Sequence, residues 1–289
     1  MKTKNNIFII GGGFVARALE KTLQPEHTVH VITRKEVDYC SIKRLSEYIS
    51  PYWGSYHEVH NIVINCSGFT GRPNIDQCEF NKEATWKYNT LLPLTLEKTV
   101  ENLGYNGKFC QISSGCIFTN YEKYYNEEDK PNFGLFDKDS SFYSKSKHAA
   151  ETLLNKESSF IWRIRMPFTY SDPENPRNYL TKIRSYNEII DNINSRTCIE
   201  DFCNFVQQFV NYPLSMAPGI YNVVNPSPLS VHEILEVLPE KYKNPLWRFI
   251  ETNQLQTKAG RSNCILSDAK LKEYNCQLPA EIESWKKFV

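Results

Sequence analysis

Tyr143 and Lys147 stand four residues apart in the stretch Phe142-Tyr143-Ser144-Lys145-Ser146-Lys147-His148. On a helix, positions i and i+4 share a face, with Cβ atoms about 6 Å apart. The run Ala149-Ala150-Glu151-Thr152-Leu153-Leu154 that follows favours a helix. There the lysine cation is expected to lower the phenol pKa from its reference of about 10. A phenol tuned in this way exchanges a proton with a carbonyl or an alcohol near neutral pH. His148 is turned off that face by its one-residue step. A solvated helix face shows the same spacing, so the pair gains meaning only from the elements that position it.

Those elements begin with Ile7-Phe8-Ile9-Ile10, short, apolar and β-branched, which reads as a buried parallel strand. Gly11-Gly12-Gly13-Phe14-Val15-Ala16 follows, and helical spacing runs from Ala16 to Leu23. A Gly-x-Gly-x-x-Ala at a strand-to-helix turn is a dinucleotide fingerprint. Its glycines admit a pyrophosphate to the backbone, and the helix N-terminus presents amide donors. Gly11, Gly13, Phe14 and Val15 are therefore assigned to a cofactor. Thr28 to Ile32 reads as the second strand and ends in Thr33-Arg34-Lys35. A hydroxyl and cations at that place suit a 2′-phosphate, which favours NADPH, with Thr33 and Arg34 as contacts. Val37-Asp38 would flank the adenine.

Ser41 to Ser50 reads as a Ser-capped helix, and Ile62-Val63-Ile64-Asn65-Cys66 as a third buried strand. Ligands sit beyond the carboxyl ends of such strands. The loop Ser67-Gly68-Phe69-Thr70-Gly71-Arg72-Pro73-Asn74 is thus expected to face cofactor and substrate. Asn65 and Ser67 are assigned to the cofactor, and Thr70, Arg72 and Asn74 to the substrate. Asn81 to Leu103 is a long amphipathic stretch with Asn89, a further substrate candidate, inside it. Lys108 to Ile112 is the next strand and runs into Ser113-Ser114-Gly115-Cys116. A hydroxyl at this strand end, with Tyr143 and Lys147 roughly 30 residues on, completes a Ser-Tyr-Lys set for carbonyl reduction.

Composition bounds the rest. The chain has 289 residues, 34 Lys+Arg against 33 Asp+Glu, and a net charge of +1, which argues for neither a nucleic-acid nor a membrane partner. Nine cysteines are scattered without a Cys-x-x-Cys pair, so neither a disulfide framework nor a zinc site is expected. A reducing, cytoplasmic setting suits such free thiols. Four apolar residues after Met1-Lys2-Thr3-Lys4 are too few for a signal-peptide core, and no run reaches membrane-spanning length.

With these residues assembled, the chain resembles an extended short-chain dehydrogenase/reductase. It is more closely similar to the reductase/epimerase domain of plant UDP-rhamnose synthases. The likeness is carried by Asn65-Cys66-Ser67-Gly68-Phe69-Thr70-Gly71-Arg72-Pro73-Asn74-Ile75-Asp76-Gln77-Cys78-Glu79, by Gly115-Cys116-Ile117-Phe118 and by Glu127 to Phe133. It continues through Ser141 to Lys145, Arg163 to Pro167, Asn175 to Ile183 and Arg261-Ser262-Asn263. The resemblance implies a Rossmann-type doubly wound parallel sheet, an α/β fold, with a smaller C-terminal substrate lobe. The lobes are expected at 1–167 and 168–289, with a soft boundary because the chain crosses between them more than once. The plant pattern spaces its glycines Gly-x-x-Gly, whereas Gly11, Gly12 and Gly13 are consecutive here, which leaves open which two meet the pyrophosphate.

The resemblance also implies an activity. UDP-4-keto-6-deoxy-D-glucose would be epimerised at C3 and C5 and reduced at C4 with NADPH, giving UDP-L-rhamnose. A separate upstream 4,6-dehydratase would supply the keto sugar, and the protein would be a homodimer through its Rossmann-lobe helices. Cys116 would be the base or proton shuttle and Lys182 the acid across the sugar. Lys147 would also orient the cofactor ribose. Arg261 would grip the diphosphate, with Asn178 as a second candidate, while Arg72, Asn74, Asp76 and Glu79 shape the sugar side. The carrier, UDP or dTDP, stays open. One rival is a dTDP-4-keto-rhamnose reductase without epimerase activity, which needs neither Cys116 nor Lys182. Another is a non-catalytic regulatory subunit on the same scaffold, which would not need Tyr143 and Lys147. Gly219 to Val224 reads as a late strand, and Ser230 with Glu233 as a capping box opening a helix to Leu238.

Overall fold

The structure is a computed structural model that describes residues 4–54, 59–104, 107–254 and 257–289. Met1-Lys2-Thr3, the start of the stretch read as too short for a signal peptide, lies outside them. The chain opens with β1 (Asn6–Ile10), α1 (Phe14–Leu23), β2 (Thr28–Ile32), α2 (Ile42–Ile49) and β3 (Asn61–Asn65). Helices α3 (Asp76–Phe80), α4 (Lys82–Trp86) and α5 (Leu92–Leu103) lead to β4 (Gly107–Ser114). The short β5 (Tyr124–Tyr125), α6 (Phe142–Leu153) and β6 (Ser159–Ile164) follow. Beyond them lie α7 (Tyr179–Arg184), β7 (Glu188–Ile189), α8 (Ile199–Asn211), β8 (Gly219–Asn222), α9 (Val231–Val237) and β9 (Arg248–Phe249). The chain closes with β10 (Ile265–Leu266), α10 (Ala269–Glu273) and α11 (Glu281–Trp285).

Six strands form one parallel sheet in the order β2-β1-β3-β4-β6-β8. Alternate residues of each strand feed two cores. Ile7, Ile9, Ile62, Ile64 and Trp162 pack with Leu19 of α1 and with Phe202, Phe205 and Phe209 of α8. Phe8, Ile10, Val63, Phe109 and Ile161 pack with Leu45 of α2 and with Leu92 and Leu96 of α5. Helices thus cover both faces, which is why the strands read as unbroken apolar runs. Burying one such side chain contributes roughly 1.5–3 kcal/mol. The strand order reverses between β1 and β3, so the binding crevice lies beyond their carboxyl ends.

α4 and α5 are joined by a π-helical segment, Lys87–Leu91, rather than by straight α-helix. Pro93, in the first turn of α5, has no N–H and its ring crowds the carbonyl of residue 89. The wider turn relieves that crowding and directs Asn89 inward.

A smaller core gathers Phe168, Leu180, Ile183, Val231, Ile234, Trp285 and Phe288, with Phe168 stacked on Trp285 at 4.1 Å. The expected capping box at Ser230 and Glu233 is present on α9. Because α8 and β8 belong to the large sheet layer although they follow residue 168, a cut at 167/168 does not divide the chain into continuous lobes. The crossings are held by a buried ion pair: Arg196 donates to Glu281 at 3.0 Å, both side chains fully enclosed. Glu281 also accepts from Trp285 Nε1 at 2.9 Å. Removing one partner leaves an unpaired buried charge. Glu281→Leu is therefore expected to cost about 3–5 kcal/mol in urea-monitored unfolding; a loss under about 1 kcal/mol would show that the pair does not hold the crossing.

Candidate active site

The cofactor end is set by backbone approach. Gly11 has φ +99°, a conformation that favours glycine, and a Cβ there would lie 3.3 Å from Ser67. Around a Cβ at Gly13 there is open space, and Gly13 caps α1 without any side-chain bond to its first amides. Phe14 and Val15 begin that helix and pack on the sheet core. A ten-residue helix with an uncapped N-terminus and open space before it fits a pyrophosphate. Ser67 shares a hydrogen bond with the Tyr39 hydroxyl at 3.0 Å.

The reducing chemistry depends on α6 lying against the end of β4. Ser141 caps α6. Glu79 reaches from α3 to accept the Phe142 N–H at 2.6 Å. Ser144 Oγ donates to the Cys116 carbonyl at 2.6 Å, and Asn89 Nδ2 donates to Ser146 Oγ at 3.0 Å. These bonds set Tyr143 beside Ser114, which hydrogen-bonds it. Ser114 Oγ also accepts the Cys116 N–H at 3.2 Å, so the hydroxyl and the thiol share one turn. Lys147 Nζ donates to the Ile112 carbonyl at 3.2 Å.

Burial governs the ionisation of this group. Tyr143 is pushed well above the ordinary phenol value, first by burial and then by the negative charge Cys116 would carry, with Ser114 opposing. This corrects the expected lowering: burial, which disfavours the phenolate, sets the direction. Lys147 is itself pushed down to about 8 by burial, opposed by Glu151, Cys116 and Cys78. The phenol therefore holds its proton at neutral pH.

A pocket of about 330 Å³ is lined by Arg72, Pro73, Pro176, Arg177, Lys182 and Tyr186 among others. Lys182 is lowered by burial and by the Arg177 cation, and pulled back by Cys116. Arg177 donates to Thr70 Oγ1 and to the Gly71 carbonyl, each at 2.9 Å, which ties the Thr70–Asn74 loop to α7. Three cations on one pocket suit a diphosphate.

Several assigned residues are engaged within the scaffold. Asn65 is fully buried; its Nδ2 donates to Gln111 at 2.7 Å and its Oδ1 accepts from the Ser67 N–H. Asn89 is fully buried and holds both the N–H and the carbonyl of Phe69. Asn178 is fully buried, capping α7 and donating to the Thr169 carbonyl at 2.9 Å. Each of the three amides is satisfied by partners inside the protein. Thr33 is engaged locally: its N–H donates to Glu36 at 2.9 Å and its hydroxyl bonds the same carboxylate. Arg34 lies over the Tyr88 ring at 5.1 Å and stays exposed. Asn74 Oδ1 accepts the Asp76 N–H. Arg261 pairs with Asp76 at 2.9 Å and braces its own loop against α3. Burial raises the Asp76 carboxyl, but the bonds from Arg261 and the Ala259 amide outweigh it and hold the group below its ordinary value.

Two arginines escaped the sequence reading. Arg177 is one. Arg165, just past the end of β6, is the other: its Nη1 donates to Cys116 Sγ at 3.2 Å. Their signal was weak: Arg165 follows an apolar run and Arg177 sits between prolines and asparagines. Among the described residues no cluster of metal-ligating side chains is present, and no helix is long and apolar enough to cross a membrane.

The RmlD substrate binding domain family matches residues 5–289. The chain is 36% identical over 239 residues to a bifunctional dTDP-4-dehydrorhamnose 3,5-epimerase/dTDP-4-dehydrorhamnose reductase of Arabidopsis thaliana, covering 78% of this chain and 75% of that protein. It is 35% identical over 238 residues to a trifunctional UDP-glucose 4,6-dehydratase/UDP-4-keto-6-deoxy-D-glucose 3,5-epimerase/UDP-4-keto-L-rhamnose-reductase of the same plant. That match covers 78% of this chain and only 34% of the larger relative. Among solved structures, the L780 UDP-rhamnose synthase of Acanthamoeba polyphaga mimivirus superposes with a TM-score of 0.84 at 26% identity, over 98% of this chain and 99% of that one. The dTDP-4-dehydrorhamnose reductase of Clostridium acetobutylicum shares the fold, with a TM-score of 0.79 at 18% identity over 98% of each chain. The chain therefore belongs to the RmlD substrate binding domain family, within the extended short-chain dehydrogenase/reductase enzymes.

Proposed function

We propose that this chain is a bifunctional nucleotide-sugar enzyme that epimerises UDP-4-keto-6-deoxy-D-glucose at C3 and C5 and reduces C4 with NADPH, giving UDP-L-rhamnose. The observation that carries this reading is the placement of Cys116 in the turn that follows Ser114, beside Tyr143 of α6, with the charge of Cys116 bearing on both Tyr143 and Lys182. A ketone reductase alone has use for Ser114, Tyr143 and Lys147; it has no need of a thiol and an ammonium group beside them. The activities of the plant relatives support the same pairing of reactions. They also support a keto sugar made by prior dehydration of UDP-glucose. A homodimer through the Rossmann-lobe helices, where Leu91 and Leu153 are exposed, and a cytoplasmic setting go with the reading.

The ketone at C4 acidifies the protons on both neighbouring carbons. Cys116 sulfur takes one such proton; the C–H electron pair moves onto O4, which Tyr143 and Ser114 hold by hydrogen bonds. Lys182 returns a proton to the opposite face. Its lowered pKa brings the ammonium closer to neutral range, where it is a better acid. Arg72 and Arg177 hold the diphosphate so that the ring stays between sulfur and amine. Bound NADPH supplies the hydride for C4. Tyr143, kept protonated by burial, then gives its proton to O4. The uncapped start of α1 would hold the pyrophosphate, and Lys147 the ribose beside Tyr143.

Incubation with UDP-4-keto-6-deoxy-glucose and NADPH in D2O tests the proposal by NMR. Deuterium should appear at C3 and C5 of the product; a product labelled at neither position would leave a plain reductase. Cys116→Ala should lose the solvent exchange while NADPH still binds, and undiminished exchange would remove the thiol from the mechanism. Tyr143→Phe should slow NADPH consumption by about 10²–10⁴-fold, so a near-normal rate would discredit the phenol as donor. Arg177→Met should raise KM for the nucleotide sugar about tenfold through loss of a charge-assisted contact. Its KM for NADPH should stay within about twofold; equal rises in both would mark a general loss of structure instead.

A further inference from the structure

We propose that Arg165 is the counter-ion of the Cys116 sulfur and so the positioning residue that equips this thiol to act as a base. The inference rests on the reading of Cys116 as a proton-transfer group. Three arginines are essentially enclosed: Arg163 at 2% exposure, Arg165 at 1% and Arg196 at 0%. A buried charge is costly unless an opposite charge meets it. Arg163 meets Glu151 at 2.8 Å and Arg196 meets Glu281 at 3.0 Å. Among the described residues no carboxylate pairs with Arg165. Its Nη2 donates to Asn194 Oδ1 and, at 2.7 Å, to the Ser262 carbonyl, both neutral acceptors. Its Nη1 donates to Cys116 Sγ at 3.2 Å.

The contact fits a sulfur anion better than a thiol. A neutral thiol is a weak acceptor, and a thiolate is a strong one favoured by an adjacent cation. The other groups that bear on the sulfur come from three directions. Tyr143 and Lys147 approach from α6, Lys182 from α7, and Cys264 from the segment before β10. Tyr143 stays neutral, and burial raises the Cys264 thiol, whose Sγ donates to the Gly115 carbonyl at 3.6 Å. Lys147 and Lys182 are both weakened as cations by burial. Arg165 is the cation of the group that is in hydrogen-bond contact with the sulfur and cannot lose its proton. Its guanidinium is held from the side away from the cleft by Asn194 and Ser262, while the Thr197 hydroxyl fixes its backbone at 3.1 Å. In the proton transfer the substrate C–H bond breaks and an S–H bond forms. Arg165 then keeps the sulfur aimed into the cleft until solvent takes the proton away.

Alkylation by iodoacetamide reads this without any nucleotide sugar, because only the thiolate reacts. The rate at Cys116 is followed by mass spectrometry of its peptide, with the half-buried Cys40 of the same molecule as reference. Burial raises the Cys40 thiol. From pH 7 to pH 9 the rate at Cys40 should rise about a hundredfold, and that at Cys116 less than about tenfold. In Arg165→Met the rise at Cys116 should match that at Cys40, and Arg165→Lys should bring back some of the shallow profile. A merely structural role would change the rates without changing their pH profile. If wild-type Cys116 rises as steeply as Cys40, the proposal is overturned, whether or not the variants fold. A shallow wild-type profile in a protein that exchanges no deuterium at C3 or C5 would keep the counter-ion and reject the epimerase reading.

Discussion

The site depends on one packing relation: α6 laid against the end of β4. Everything that can do chemistry on a sugar ketone is attached to one of those two elements or faces them. Four bonds from different regions of the chain fix the relation, and they differ in kind. Glu79 caps the helix with a carboxylate, Ser144 grips the Cys116 carbonyl, and Asn89 grips Ser146. The fourth lies deeper, where Glu151 takes both Arg163 and the Ser113 hydroxyl. Satisfied buried networks of this sort rigidify a site, because every broken bond leaves a polar group stranded.

That rigidity has an electrostatic consequence. Enclosing Tyr143 and Lys147 weakens the charged form of each. The phenol is kept as a proton donor, which is what reduction of a ketone requires in its last step. The thiol stands apart from this pattern, since a fixed guanidinium touches it. A phenol that keeps its proton thus stands near a sulfur provided with a positive neighbour, the division of labour that the proposed epimerisation and reduction at one carbonyl call for.

Much of the scaffold was legible in the chain. Buried parallel strands announce themselves as apolar β-branched runs, and the second strand, Thr28 to Ile32, lies where periodicity placed it. The glycine turn and the Tyr-x-x-x-Lys spacing were legible because each meets a geometric need that few residues satisfy. The asparagines were not. Asn65, Asn89 and Asn178 look like ligand contacts in a polar loop or helix, yet each binds backbone or an amide inside the protein. A sequence displays the polar group but not the partner, and the partner of Asn89 on α6 lies 57 residues away. Arg165 hid for the opposite reason. Two arginines in and just past an apolar strand signal buried charge, but only coordinates separate the one met by Glu151 from the one met by sulfur.

A crystal structure with NADP and a nucleotide 4-keto-6-deoxy sugar, or its reduced product, bears most directly on the central claim. The Tyr143 hydroxyl is expected on O4, with Cys116 Sγ and Lys182 Nζ on opposite faces of the ring, each within about 3–3.5 Å of the atom it serves. A sugar bound with its C3 and C5 hydrogens out of reach of the sulfur, or with Lys182 turned to solvent, would contradict it.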